Sequence, residues 1–568
     1  MPEAQASAPT RERAFRAAAP VFIPLAIAIG ISLIAQRWSS LDTPDSSFYA
    51  TLSLFGDEVT DRAPITSYFW TRLGYIAPVG FLTALLGAFP GFFAYKVALT
   101  GAITVSTYVV VRRHTRMWIA AWMTIAVISS SVILSYLGNT YLTGSVLAGT
   151  AILIALASSP RHPLASAAVA GTTMGWLVMA NPTGVLLAGT IWLALAIHTY
   201  KTNSDVPIVK QLITAAATTI AAFAVFLAAG RVIFPAMDWF AAYREAQQIT
   251  LSNFSSPDLV WLQDISLLVP LAVLIIVIFN YFGVRENRAA QQALVLSATS
   301  TAFMLVFNPM MGGIALEAPF YQAMLWPPAL IALALAATSR MVDNVSSSRL
   351  PQLVGAIGIV GIIAAGYVAP GIELSIGVGI AVAITAAVVF TPRTTTATLI
   401  TIATFLAGAQ LLQNSRDDLG LYYLSPYHWA YADNPIETKM RTAVNSQLWL
   451  LDNTNRDDQI LVWVDGPWVQ GDRELYVAAG MQLWGENRVT LEPTLTDEYG
   501  LAQFNTIKPD VLALYGKSMD SVMTFWESIP RENDPTAPIC YDYTWPPDAS
   551  SDFPTTQGHT CLTRLTWR

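Results

Sequence analysis

The sequence predicts a polytopic α-helical membrane protein with about 13 transmembrane helices, followed by a C-terminal extracytoplasmic α/β domain. Three observations carry this reading. The 568 residues are 54% hydrophobic and only 12% charged, with a mean hydropathy of +0.47. Soluble domains carry roughly 25% charged residues, so most of this chain must face lipid. Apolar runs of spanning length recur from residue 17 to residue 412, and beyond them the pattern changes to short strand-like and amphipathic segments.

Each span follows from its run of apolar residues. Arg11, Arg13 and Arg16 precede the apolar stretch Ala17 to Ala35, which is long for a signal-peptide core and reads as an uncleaved first helix. Further runs lie at 91–111, 117–135, 142–158, 164–180, 183–199, 210–230, 263–282, 289–306, 322–338, 351–369, 372–391 and 395–412. If the N-terminus is cytoplasmic, the inner loops are Arg112 to Arg116, Arg161-His162, Lys201 to Lys210, Arg285 to Arg288, Arg340 to Arg349 and Arg393. Every one is basic, as the positive-inside rule requires. The alternating loops, such as Asn181-Pro182 and 236–262, hold few Lys or Arg apart from Arg244.

An odd number of spans places 413–568 outside, which divides the chain into a transmembrane domain at 1–412 and an outer domain at 413–568. Both cysteines, Cys540 and Cys561, fall in the outer part. On an oxidising side they read as a disulfide worth roughly 3 kcal/mol; two unrelated thiols are the alternative. Strand-like runs at Ile460 to Val464, Arg488 to Leu491 and Val511 to Leu514, with helical patterns at 436–452, 472–483 and 518–528, make this domain α/β. It is rich in tryptophan. Most of these side chains are expected to pack in a core, but Trp468, in the loop Asp465-Gly466-Pro467-Trp468 after a strand, is placed where a ring could stack on a sugar.

Composition also excludes function classes. The formal charge of -7, without a basic patch, speaks against nucleic acid as a partner. There is no Gly-Lys-Ser/Thr phosphate loop, and the five histidines are scattered without metal-ligand spacing.

Ionisable residues inside a membrane are costly and mark function more often than soluble charges do. Within the spans these are Lys96 and Arg231, both toward outer helix ends. They either snorkel to the headgroups or pair with a lipid phosphate. Residues 37–90 form the other concentration of charge. They are too long for a turn, and Ile65 to Trp70 and Gly74 to Phe89 look like helices along the interface. They would hold Asp45, Asp57, Glu58 and Asp61 at the membrane boundary, where plain solvation is the simpler reading for the last three.

The order of features here is specific. A first span is followed by an acidic residue (Asp45), an aromatic residue (Tyr49), the step Gly56-Asp57, and a long loop ending in Tyr68-Phe69-Trp70-Thr71-Arg72-Leu73-Gly74-Tyr75. This order resembles the GT-C membrane glycosyltransferases, particularly the protein O-mannosyltransferase and aminoarabinose-transferase branch. The resemblance implies a catalytic carboxylate at Asp45 and a lipid-phosphate contact at Arg72; Lys96 and Arg231, as charges within the spans, are the further phosphate-binding candidates. It implies a later cleft-lining loop at Leu316-Glu317-Ala318-Pro319-Phe320-Tyr321, so that Tyr49, Asp57, Glu317, Tyr321 and Trp468 are the substrate-binding candidates. Many relatives have an acidic pair where this chain has Asp45-Ser46, and one carboxylate is a poor divalent-cation site alone, which leaves metal dependence open.

The expected activity is inverting transfer of a sugar from a polyprenyl-phosphate donor to a glycan, glycolipid or protein acceptor outside the cytoplasm. No nucleotide-sugar pool exists there, so a membrane-bound donor is the natural one. A transporter or flippase, and a catalytically inactive glycolipid-binding protein, are the rivals. No inverted repeat is evident, and the candidate polar residues gather at the outer face.

Overall fold

The computed structural model describes residues 19–29, 49–58, 71–137, 142–158, 162–203, 207–235, 238–244, 265–310, 319–339, 435–464, 489–492, 498–516, 519–529, 535–545 and 556–567, apart from isolated positions within them. The expected spans at 351–369, 372–391 and 395–412 and the expected helix at 472–483 lie outside these residues.

Among the described residues, the longer helices of the membrane body are α1 (Leu73–Leu86), α2 (Ala88–Arg112), α3 (Met117–Ile128), α4 (Thr143–Ala157), α5 (Pro163–Ala180), α6 (Pro182–Asn203), α7 (Ile208–Ile233), α8 (Ile265–Gly283), α9 (Arg288–Met310) and α10 (Trp326–Ser339). Among the described residues, five stretches, Pro90–Arg112, Pro163–Ala180, Pro182–Lys201, Ile208–Ile233 and Arg288–Met310, are long and apolar enough to cross a membrane. The chain is therefore a polytopic membrane protein. The helix starts are written in the sequence. Pro163, Pro182 and Pro327-Pro328 stand in first turns, where an amide proton is not needed. Asn181 takes extended backbone between α5 and α6, and its Oδ1 accepts from Gly184 N at 3.2 Å, which caps α6.

α1 is 14 residues long, about 21 Å, too short to span a hydrocarbon core of ~30 Å. It turns back into α2 at Gly87, whose φ of +90° only glycine adopts without strain. Helices α5 and α7 pack through small residues: Gly171 and Gly175 lie against Ala215, Thr218, Thr219 and Ala222. The opposite flank of α7 is exposed at Ile213, Ile220, Val225 and Val232, as a lipid-facing side must be.

The C-terminal residues form a helix α11 (Pro435–Asp452) and a five-stranded sheet, with α12 (Glu498–Ile507) and α13 (Met519–Ser528). The strands are β1 (Ile460–Val464), β2 (Val489–Glu492), β3 (Val511–Gly516), β4 (Ile539–Trp545) and β5 (Thr556–Arg564), in spatial order β2-β1-β3-β5-β4. β1 pairs parallel with β2 and β3, while β5 runs antiparallel between β3 and β4.

Alternate residues serve opposite faces. Ile460, Val462, Val511, Ala513, Tyr515 and Leu562 share a core with Val444 and Leu448 of α11, and Leu461, Trp463, Leu512, Leu514 and Cys561 form a second core with Phe504 of α12. The sequence reading finds β1, β2, β3, α11 and α13 but neither α12 nor the β4–β5 pair. β5 (TQGHTCLTR) is mostly polar, so no apolar run announces it. Cys540 and Cys561 stand directly opposite each other across β4 and β5 and are joined by a disulfide.

Candidate functional site

The helical body has two unlike ends. At one, the basic residues Arg112, Arg113, Arg116, Lys201, Lys210, Arg285 and Arg288 gather, because the helices that carry them end or begin there. Arg113 Nη1 donates to Ala155 O at 2.9 Å, and Asn287 Nδ2 donates to Ser339 O at 3.2 Å. Gln292 is buried between its partners, its Nε2 donating to Ser158 O at 2.6 Å and its Oε1 lying 3.0 Å from His114 Nε2. Burial holds the His114 imidazole below its ordinary pKa. The Gln292 hydrogen bond opposes this, and the nearby Arg113 and Arg288 charges add to it.

At the other end stands Arg72. It precedes α1, half-buried, at the meeting of three elements. The first is the end of α5: Trp176 Nε1 donates to Gly74 O at 2.7 Å, and Gly74 lies flush against Trp176 and Ala180 backbone. The second is the end of α7, where Gly230 lets Leu73 and Trp239 close in. A Cβ there would lie 2.3 Å from Leu73 Cδ1 and 2.6 Å from Trp239 Cζ2. The third is the short helical segment 239–244. Its Tyr243 donates to Met179 Sδ at 3.0 Å. Burial raises the Tyr243 phenol to about 12, and the Arg72 charge works against that rise.

Trp239 is 4% exposed, and its indole N–H has no acceptor among the described residues. A buried donor without an acceptor costs about 1–3 kcal/mol, so such a group calls for a ligand or water. The half-buried Arg72, next in sequence to the Leu73 that closes on Gly230 with Trp239, supplies a positive charge at this end of the body.

One turn along α1 from Arg72, Tyr75 joins an aromatic chain. It meets Tyr49 edge-on at 5.8 Å and Tyr95 edge-on at 5.5 Å, and Tyr95 Oη lies 2.9 Å from Ser145 Oγ. Lys96 follows Tyr95 on α2 and is only 2% exposed. It is thus enclosed by protein rather than lying in lipid, which separates it from the snorkelling alternative.

Arg231 differs. Gly230 packs inward against Leu73 and Trp239, and the next residue, Arg231, is exposed. Tyr49, at 1% exposure, is a packing residue of the aromatic chain. Tyr321 is half-buried, in the short helix Pro319–Gln322 ahead of the turn Ala323–Leu325, which packs on α4. Asp45, Asp57, Glu317 and Trp468 lie outside the described residues. Sequence reasoning missed Trp239 and Tyr243; an aromatic pair four residues apart at a span's outer end was the available signal. Among the described residues, no three His, Cys, Asp or Glu converge as a metal site.

No family model and no curated protein matches the chain. Among solved structures it is similar to ArnT from Cupriavidus metallidurans bound to undecaprenyl phosphate, at 13% identity over 96% of this chain and 98% of that one, with a TM-score of 0.49. The apo form of the same protein gives 12% identity over 95% and 97%, with a TM-score of 0.48. The arabinofuranosyltransferase AftD from Mycobacteria gives 12% identity over 99% of this chain and 40% of that one, with a TM-score of 0.47. Likenesses at this level carry no argument about chemistry, so the site stands on its own residues.

Proposed function

We propose that this protein is a membrane glycosyltransferase that moves a sugar from a polyprenyl-phosphate donor to an extracytoplasmic glycan, glycolipid or protein, inverting the anomeric centre. The observation that supports this most is the end of the bundle opposite the basic residues, where half-buried Arg72 begins α1 and Trp239, which closes on Gly230 together with Leu73, buries an indole N–H that has no acceptor among the described residues. A lipid phosphate presented at that membrane face meets both donors. Lys96, enclosed in α2, adds a second cation on the same side of the body.

In this reading the N-terminus and the basic end are cytoplasmic, 1–412 forms the membrane domain, and 413–568 lies outside with its disulfide. Asp45, four residues ahead of Tyr49, takes the proton of the acceptor hydroxyl as its oxygen attacks the anomeric carbon. The bond from that carbon to the phosphate oxygen breaks as the new one forms. Polyprenyl phosphate leaves with the electron pair, its charge met by Arg72, Lys96 and the Trp239 N–H. Asp57, Glu317, Tyr321 and Trp468 are proposed to contact the sugars. Arg231, being exposed, is assigned to headgroups at the membrane surface.

The test is turnover by purified protein in liposomes supplied with polyprenyl-phosphoryl sugars and a panel of glycan and peptide acceptors, read as release of polyprenyl phosphate. Asp45→Asn should lower the rate by about 10²–10⁴-fold, the usual worth of a general base. A folded Asp45→Asn variant with full turnover removes that residue from the chemistry. Unchanged turnover in EDTA assigns phosphate neutralisation to the protein's cations, and loss restored by one divalent metal assigns part of it to that metal.

A further inference from the structure

We propose that Arg441 of α11 is a positioning residue, holding the helical segment 49–56 in register with the donor seat; this rests on the glycosyl-transfer reading above. One guanidinium makes two contacts with that segment. Its Cζ lies 4.0 Å from the centre of the Phe55 ring, and its Nη1 donates to Glu58 Oε2. Phe55 and Glu58 are three residues apart, hence on one helical face, and a planar guanidinium offers its flat side to a ring and its edge to a carboxylate at once. An exposed ion pair alone would do little. Phe55, however, is 5% exposed, so the ring under the cation is fixed in the core.

The segment is clamped along its length. Tyr49 meets Tyr75 of α1, and Ser53 O would lie 3.0 Å from a Cβ at Gly80. A Cβ at Gly56 would lie 2.7 Å from Phe234, just past α7. These contacts come from the membrane body, whereas Arg441 comes from the sheet-bearing part. α11 is itself anchored there, with Ser446 hydrogen-bonded to Thr560 of β5 and Trp449 stacked on Tyr541 of β4 at 5.8 Å. Arg441 therefore ties the segment that leads directly from Asp45 to the sheet, and a shift of α11 is felt at that segment.

The experiment uses full-length protein in liposomes, with Arg441→Ala, Arg441→Lys and Glu58→Gln. Three quantities are read: amide hydrogen exchange in 49–56, affinity for polyprenyl phosphate, and kcat and KM for the polyprenyl-phosphoryl sugar. In Arg441→Ala, exchange should rise about tenfold and kcat should fall about tenfold, with donor KM and phosphate affinity changed less than about twofold. Arg441→Lys should recover part of kcat, since it keeps the charge but not the planar contact. Glu58→Gln gives the same pattern, weaker, and covers the case in which Arg441→Ala does not fold.

Faster exchange with unchanged kcat reduces Arg441 to a structural contact and overturns the proposal, as does unchanged exchange. If the wild type turns over no polyprenyl-phosphoryl sugar, the transfer reading fails, and exchange in 49–56 still decides whether Arg441 holds the segment.

Discussion

Gln292 at the basic end of the helical body and Trp239 at the Arg72 end are buried polar side chains with opposite fates. At the basic end, Gln292 has both amide atoms matched, by Ser158 O and His114 Nε2, and Asn287 and Arg113 close on helix-terminal carbonyls. At the Arg72 end, Trp239 buries an N–H without meeting an acceptor in the described residues. A polar group that is fully matched inside the protein fastens helices. One that is desolvated and left unmatched is either a flaw or a receptor. The contrast singles out Trp239 as a group to test for a ligand and Gln292 as a fastener.

Four experiments break or sharpen the contrast. The largest effect is expected for Arg72→Ala, which should weaken polyprenyl phosphate binding by about 10–100-fold, the range for losing a hydrogen bond to a charged group. Its thermal stability should barely move, and a large fall in Tm with unchanged affinity would make Arg72 a fastener like those at the other end.

Gln292→Leu should do the reverse. It strands the His114 imidazole and the Ser158 carbonyl, costing about 1–3 kcal/mol of stability by thermal unfolding while affinity for the lipid phosphate stays as it was. Trp239→Phe keeps the ring packing against Gly230 but removes the N–H. Affinity should fall by about 2–10-fold, the worth of one neutral hydrogen bond, and stability should hold or rise.

The smallest effect concerns pH. His114 has a folded-state pKa below its ordinary 6.5, burial being the main cause. The unfolded chain therefore takes up the proton first on acidification. The stabilising contribution is complete above the unfolded value of 6.5 and is lost as pH falls through the folded pKa. A thermal-unfolding series from neutral to mildly acid pH should show Tm falling below pH 6.5, and His114→Gln should flatten that slope. An equal slope in the variant would place the titrating group elsewhere.

Much of this was legible in the sequence, for identifiable reasons. Spans declare themselves by apolar length, and expected runs at 164–180 and 289–306 correspond to α5 (Pro163–Ala180) and α9 (Arg288–Met310). β1 and β3 are buried strands, and their continuous apolar runs were readable. Lys96 and Arg231 stood out because charge is rare within spans, and the structure finds Lys96 buried and Arg231 exposed. What escaped depends on distance in the chain. His114 and Gln292 are 178 residues apart, and nothing local to either announces the other. Trp239 looks like any interfacial aromatic, and only the close approach of Gly230 and Leu73 buries its N–H. Arg441 sits in an ordinary amphipathic helix, and its meeting with Phe55 and Glu58 exists only in three dimensions.

The placement of β5 has a consequence for how this protein is made. It is the last of the five strands in sequence, yet it lies between β3 and β4 in the sheet. While the chain is threaded across the bilayer, β1, β2 and β3 can associate, but β3 must wait with one edge bare until residues 556–564 arrive. That waiting edge is where a neighbouring chain could pair by mistake. Joining Cys540 to Cys561 ends the wait, because the bond locks β5 beside β4 in the register that fills the bare edge.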